Sequence, residues 1–285
     1  MNLFESDYFS LISLSKDLHS RDNVFHRFNE KLISHFTGNS PLAKDEPESI
    51  EFGPFGRLIF PYFSMGNIDS LKLFGLDELI LFTFYWQNQS RYKKVADMGA
   101  NIGLHSILMS KLGWEVHSYE PDPVHVAEIK RRAALNRVSN ITVFENAISD
   151  VNATLQFTRL KGNRTGSHLK GKKAHVYGEV EEFDVRCLAF SDVMHHYDFI
   201  KMDIEGAEAD ALCSTTAENW SGTDVMLEVG SEENALLIWQ HMNKLGLSAY
   251  AQKNQWARVN STEEMPVSYK EGSLFITRSS LSPFN

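Results

Sequence analysis

Cysteine is nearly missing from this chain. Only Cys187 and Cys213 occur, far apart and without paired spacing, which argues against a disulfide framework or a cysteine-ligated zinc site and points to a reducing, cytoplasmic setting. Long apolar runs are also lacking: the most apolar one, Leu79 to Trp86, is too short to span a bilayer. The opening residues Met1 to Asp7 lack the basic start of a secretion signal, so a soluble intracellular protein is expected. Nor is there an excess of positive charge. The formal net charge is -9, and a negative field opposes general nucleic-acid binding. No internal repeat or low-complexity tract is evident.

The 285 residues suffice for one full core with an N-terminal extension. Residues 1–76 read as that extension, a cap or homo-oligomer contact. Phe25, Phe28, Leu32, Ile33 and Phe36 recur near helical spacing until Gly38-Asn39-Ser40-Pro41 breaks the pattern, and Gly53-Pro54-Phe55-Gly56 then separates short apolar runs like a hairpin, which Pro61 confines to an edge or an irregular ribbon. Residues 77–285 form the second unit. After an apolar helix from Asp77 to Trp86, strands are expected near 95–98, 115–119, 141–145, 198–202 and 224–229 with helices between several of them, an α/β pattern with a parallel, doubly wound sheet. Leu247 to Gln252 and Ser273 to Arg278 add an antiparallel edge. The inserted segment 150–196 is long enough to suggest function; Thr154 to Leu160 and Val176 to Val185 alternate like strands.

The chemistry concentrates at the predicted strand ends. Asp97-Met98-Gly99-Ala100-Asn101-Ile102-Gly103 is a glycine turn between strand and helix, and Glu120-Pro121 follows at the distance where an acid meets ribose hydroxyls. Asn101 stands at a small position of the dinucleotide pattern and its third glycine is missing, so a pyrophosphate fits less well. Asp97 offers an acceptor for an ammonium and the turn's N–H groups a seat for a carboxylate, which suits an amino-acid-bearing nucleoside. A purely structural glycine turn is the plainer reading; Glu120 weighs against it. Asn146, Ala147 and Ile148 are placed to read and wall an adenine edge, although a turn with Asn, Ser and Asp is also ordinary loop chemistry.

Acids cluster further along. Asp203, Glu205 and Glu208 follow a buried strand, and Glu228 ends the next one. Such carboxylates can act as base, orient a hydroxyl or hold a divalent cation, while helix capping is the plain alternative. The stretch Arg159 to Lys173 is basic without an acid, read mainly as a solvated loop; its Asn163 to His168 portion is a candidate cover for an acceptor pocket, with His168 an alternative base.

In combination and in order, the glycine turn, Tyr119-Glu120-Pro121, Asn146-Ala147-Ile148-Ser149-Asp150 and Ile200-Lys201-Met202-Asp203-Ile204-Glu205-Gly206-Ala207-Glu208 resemble the FkbM family of S-adenosylmethionine-dependent methyltransferases over about residues 77 to 230. The chain departs from that pattern at Leu188 to Asp192, where the family shows a Leu-Asp-Asp-like segment. The resemblance implies a class I methyltransferase Rossmann-like fold, a mostly parallel seven-stranded sheet with helices on both faces. It implies S-adenosylmethionine as cofactor, with Asp97, Gly99, Ala100, Asn101 and Gly103 at its methionine part, Glu120 and Pro121 at ribose, Asn146, Ala147 and Ile148 at adenine, and Asp203 nearby. A hydroxyl on a sugar, glycolipid or natural product is the acceptor it implies. A nicotinamide-dependent oxidoreductase and a catalytically silent ligand-binding or scaffold protein are the competing readings.

Overall fold

The computed structural model describes residues 5–172 and 179–284. Its elements run α1 (Ser6–Leu14), α2 (Val24–Gly38), β1 (Ser49–Glu51), β2 (Arg57–Ile59), α3 (Leu76–Gln87), β3 (Lys94–Met98), α4 (Leu104–Lys111), β4 (Glu115–Tyr119), α5 (Pro123–Leu135) and β5 (Ile141–Phe144). The inserted part carries β6 (Ala147–Ser149), β7 (Ala153–Leu160), β8 (His168–Leu169), β9 (Val180–Ala189) and α6 (Phe190–Val193). The last part carries β10 (Phe199–Met202), α7 (Glu208–Cys213), β11 (Asp224–Glu228), α8 (Glu232–Leu245), β12 (Ser248–Ala251), β13 (Ala257–Arg258) and β14 (Ser273–Thr277).

The main sheet has the order β13-β12-β14-β11-β10-β3-β4-β5. Strands β5, β4, β3, β10 and β11 pair in parallel, and β14 enters antiparallel between β11 and β12. This is the mostly parallel α/β sheet expected, with one addition: the two-residue β13 extends the seven strands to eight. The two C-terminal strands do not simply edge the sheet, because β14 crosses back inside β12. Chain order reverses on either side of β3, whose neighbours are β4 and β10, and such a switch point opens a crevice at the carboxyl ends of the strands.

Local chemistry explains the helix ends. Asn23 caps α2 by accepting from the Phe25 N–H at 2.9 Å, and Asp122 caps α5 by accepting from Val124 at 2.8 Å with Pro123 in the first turn. Gly246 ends α8 in a left-handed conformation at φ 68°.

The N-terminal part shares its core with one face of the sheet. A single apolar cluster joins Phe9, Ile12, Phe52 and Phe55 to Leu79, Phe82 and Phe84 of α3 and on to Val95, Ile107 and Phe199. Phe84 is its hinge residue, with ring centroids 5.2 Å from Phe199, 5.6 Å from Phe275 and 6.1 Å from Phe284. A second cluster, including Met202, Leu227, Ile238 and Met242, fills the other face.

The inserted segment is a sheet rather than a long loop. Its order is β6-β9-β7-β8, with β7 and β9 antiparallel from Ala153↔Cys187 to Leu160↔Val180. Alternation causes this: Phe157, Val185 and Cys187 turn inward to a small core of their own while Asp184 and Arg186 stay outside. The strand expected from Val176 starts later, at Val180; Val176 to Gly178 and Lys173 lie outside the described residues. Both cysteines are free, Cys187 buried and Cys213 exposed. Among the described residues no helix is long and apolar enough to cross a membrane.

Phe84→Ala is expected to remove about 3–5 kcal/mol of stability, the usual cost of a large cavity among aromatic rings. Urea unfolding followed by circular dichroism and by tryptophan fluorescence should give coincident curves. A separate early transition of the N-terminal helices would contradict the shared core.

Candidate functional site

Strand β3 is buried along Val95 to Met98 and runs into the glycine turn. Gly99 takes φ 78°, and a Cβ there would lie 1.8 Å from the Asp203 carbonyl oxygen, so the main chain passes directly over the end of β10. The turn is tied to the end of β4. The Gly99 and Ala100 N–H groups both donate to the Tyr119 carbonyl, at 2.9 and 3.0 Å. Asn101, left-handed at φ 51°, donates its N–H to Glu120 Oε2 at 2.8 Å, and Asp122 donates to Oε1 at 2.9 Å. Glu120 therefore clamps the turn as well as facing the crevice.

A cleft of about 240 Å³ opens at the carboxyl ends of the parallel strands. Of the expected nucleoside-binding residues, Gly99, Asn101, Glu120, Pro121, Asn146, Ala147, Ile148 and Asp203 line it. Asp97, Ala100 and Gly103 do not. Asp97 is fully buried beneath the turn, where Ser106 Oγ donates to its Oδ2 at 2.5 Å and Lys201 Nζ stands 4.0 Å from Oδ1. Gly103, at φ 85°, opens α4 against Ile129. Of the expected catalytic residues, Asp203, Glu205 and Glu228 line the cleft.

Glu208 and His168 stand back from it. The Glu208 carboxylate accepts from the Ile204 and Gly206 N–H groups, each at 2.9 Å, which is the turn-capping role that acids near a helix start favour. Burial first, and Asp203 second, push its pKa up to about 7. His168 is buried, with Nδ1 2.9 Å from the Gly166 carbonyl. The stretch from Arg159 is not a free loop: Arg159 pairs with Asp122 at 2.6 Å and Glu181 at 2.7 Å, Lys161 with Glu179 at 2.5 Å and Lys170 with Glu182 at 2.8 Å.

The electrostatic centre is Lys201. Its side chain is 11% exposed and its ammonium lies 3.5 Å from Asp203 Oδ2 and 4.0 Å from Asp97 Oδ1. Burial opposes the charge, but Asp203, Asp97, Glu78 and Glu228 outweigh it and hold the ammonium above its usual range. The two acids flanking this centre are driven apart. Glu228 is pushed well above the carboxylate range by burial and by the charges of Asp203 and Glu78, whereas Glu78, despite its own burial, is held below that range by His105 at 3.0 Å and by Lys201. Among the described residues no three His, Cys, Asp or Glu side chains form a metal-ligand set.

A family model described as Methyltransferase FkbM domain matches residues 97–246, half of the chain and the whole span of the turn, the clamp and the acids. The chain belongs to the FkbM methyltransferase domain family. A curated relative, Methyltransferase sdnD of Sordaria araneosa, is 28% identical over 159 residues, 44% of this chain and 61% of the relative, so the match takes in about three fifths of that protein's length. Solved structures with a related outline include an O-methyltransferase from Bacillus cereus in complex with SAH, 11% identical at a TM-score of 0.35 over 68% of this chain and 78% of that one. Another is a T. thermophilus 16S rRNA N2 G1207 methyltransferase, 14% identical at 0.40 over 78% and 46%. Likenesses this distant carry no weight for the acceptor.

In this FkbM-family chain the cleft also has walls beyond the expected site residues, some of them outside the matched domain. Glu78, Tyr119 and His125 line it, as do Met65, Ile68, Lys72 and Leu73 from before α3, and Arg164, Thr165 and Ser167 from the inserted sheet. For Lys201 a signal exists in the sequence: a lysine inside the apolar strand Phe199–Met202 demands a buried counter-charge. Arg164, Thr165 and Ser167 fall in the Asn163 to His168 portion expected as a pocket cover, and Tyr119 in the Tyr119-Glu120-Pro121 motif; Glu78, His125 and the residues before α3 had no such signal, because they reach the cleft only through tertiary packing.

Lys201→Met leaves several acids buried without their cation, and about 3–5 kcal/mol of stability should be lost near neutral pH. The loss should depend on pH with a definite sign. Buried acids with raised folded pKa penalise the fold increasingly as pH climbs above the unfolded carboxylate value, so the deficit should grow from about pH 4.5 to 8. Denaturant midpoints of both proteins across that range would test this; a deficit independent of pH would refute the role of Lys201 as counter-charge.

Proposed function

We propose that this chain is an S-adenosylmethionine-dependent methyltransferase that methylates a hydroxyl oxygen of a small-molecule or glycan acceptor. The observation that carries the reading is the composite cleft: a turn open to no side chain at Gly99, the Glu120 clamp and Asp203 lie along one crevice at the switch point of the sheet.

The donor set fits such a nucleoside. Asn101 Oδ1 and His125 Nε2 are buried without a hydrogen-bond partner, and both residues line the cleft, so each has capacity for a polar ligand group. Glu120 is suited to ribose hydroxyls, and Ile148 with Ala147 forms an apolar wall beside Asn146 for the base. When bound, S-adenosylmethionine supplies an electrophilic methyl group on a positively charged sulfur.

The chain's own residues must hold the acceptor, exclude water and take up a proton. Asp203 is assigned as the base: it reaches the cleft at the end of β10, with Lys201 Nζ 3.5 Å away. Glu228, whose surroundings favour the protonated carboxyl, is assigned as a hydrogen-bond donor to the acceptor, and Glu205 as a second orienting group. Glu208 acts at one remove, by fixing the turn that carries Glu205.

Calorimetry should detect saturable binding of S-adenosylmethionine and S-adenosylhomocysteine but not of NAD. With an acceptor found by mass spectrometry as a gain of one methyl, Asp203→Asn should keep cofactor affinity within a few-fold and lower kcat by at least about a hundredfold. Full turnover in the variant would remove Asp203 as the base, and methyl transfer only to nitrogen would remove the hydroxyl assignment.

A further inference from the structure

The cationic side of the cleft carries information about the acceptor. Between Arg159 and Lys172 five cations are described. Arg159, Lys161, Lys170 and Lys172 each pair with an acid, the last with Asp210. Arg164 is the exception: no carboxylate among the described residues lies within ion-pairing distance of it, and it faces the cleft. Lys72, from the segment before α3, lines the same cleft and also has no acid partner among the described residues. In a chain of net charge -9, and in a cleft that Asp203, Glu205 and Glu228 also line, two cations unclaimed by those acids mark a separate subsite.

Arg164 is held in place by its backbone. Its N–H donates to the Met65 carbonyl at 2.8 Å, the Asn67 N–H donates to the Gly162 carbonyl at 2.6 Å, and Gly66 bridges Asn163. A Cβ on Gly66, at φ 99°, would lie 2.4 Å from the Gly162 backbone, so this junction closes only because residue 66 is glycine. The tip of the inserted sheet is thereby fastened to the stretch that leads to Lys72, and both cations line the one cleft.

We propose that the acceptor carries an oxyanion, a carboxylate or a phosphate, seated by Arg164 and Lys72 while its hydroxyl faces Asp203. The proposal rests on the methyltransferase reading above. A guanidinium matches two oxyanion oxygens in its plane, and a lysine ammonium adds a point charge without fixed geometry, a pair that selects by charge rather than by the shape of one sugar or lipid.

The test uses the full chain saturated with S-adenosylhomocysteine, titrated with inorganic phosphate, with acetate and with neutral glycerol. Saturable binding of phosphate or acetate but not of glycerol is expected, and the anion that binds tells phosphate from carboxylate. In the double variant Arg164→Gln with Lys72→Gln that affinity should fall at least about tenfold while S-adenosylhomocysteine affinity stays within a few-fold. No anion binding, or equal binding in the variant, overturns the subsite and leaves the methyltransferase reading intact. Failure of the unaltered chain to bind S-adenosylhomocysteine overturns the reading on which the subsite rests. A second arm uses a methylated acceptor once found: its KM should rise at least about tenfold in the variant with kcat nearly unchanged, and preferential methylation of neutral acceptors would overturn the proposal.

Discussion

A buried ammonium needs a counter-charge, and the core of this protein is arranged around meeting that demand. Lys201 projects from the central strand β10 into a region where Asp97 of β3, Asp203 beyond β10, Glu228 of β11 and Glu78 of α3 bear on it. Burial alone favours the neutral form of a carboxyl, and the neighbours decide the outcome: Glu228 is pushed up, whereas His105 and Lys201 hold Glu78 below its ordinary range. Because Glu78 comes from the helix that links the N-terminal part to the sheet, the same charge centre connects chemistry to the assembly of the fold.

The glycine turn is the second constraint, and it meets the first at Asp203. The Asp203 carbonyl lies where a side chain at position 99 would have to be, and its carboxylate pairs with Lys201. One residue thus touches the surface suited to the cofactor, the charge centre and the cleft. Glu120 has a similar double duty: its two oxygens accept main-chain N–H groups on either side, which fixes the turn, and the carboxylate still lines the crevice. Such sharing leaves little freedom for the strand ends to shift independently.

Much of this was legible beforehand where a local pattern has a local cause. Strands β3, β4, β5, β10 and β11 announce themselves as short apolar runs between helices, and the turn at Gly99 by residues that few other conformations require. Legibility falls where two elements far apart in the sequence create the environment. Asp97 looks like a ligand acceptor at a strand end, yet Ser106 and Lys201 enclose it. Glu205 and Glu208 look equivalent at a spacing of three, but a left-handed backbone at Glu205 points the two apart: one lines the cleft and the other caps the turn. The basic stretch after Arg159 reads as solvated because its acids, Asp122, Glu179, Glu181 and Glu182, are contributed by other segments.

The amino-acid sequence by itself determined the α/β class, the places where strands give way to turns, and the family, because hydrophobic period, glycine conformation and acid spacing are properties of short segments. Tertiary structure alone decided which of the acids reach open space, that the inserted segment folds into a sheet, and that its tip is fastened to the segment before α3 with Arg164 and Lys72 lining one cleft. The reason is physical: burial, desolvation and ion pairing depend on distances between residues tens to hundreds of positions apart, and no local pattern encodes those distances.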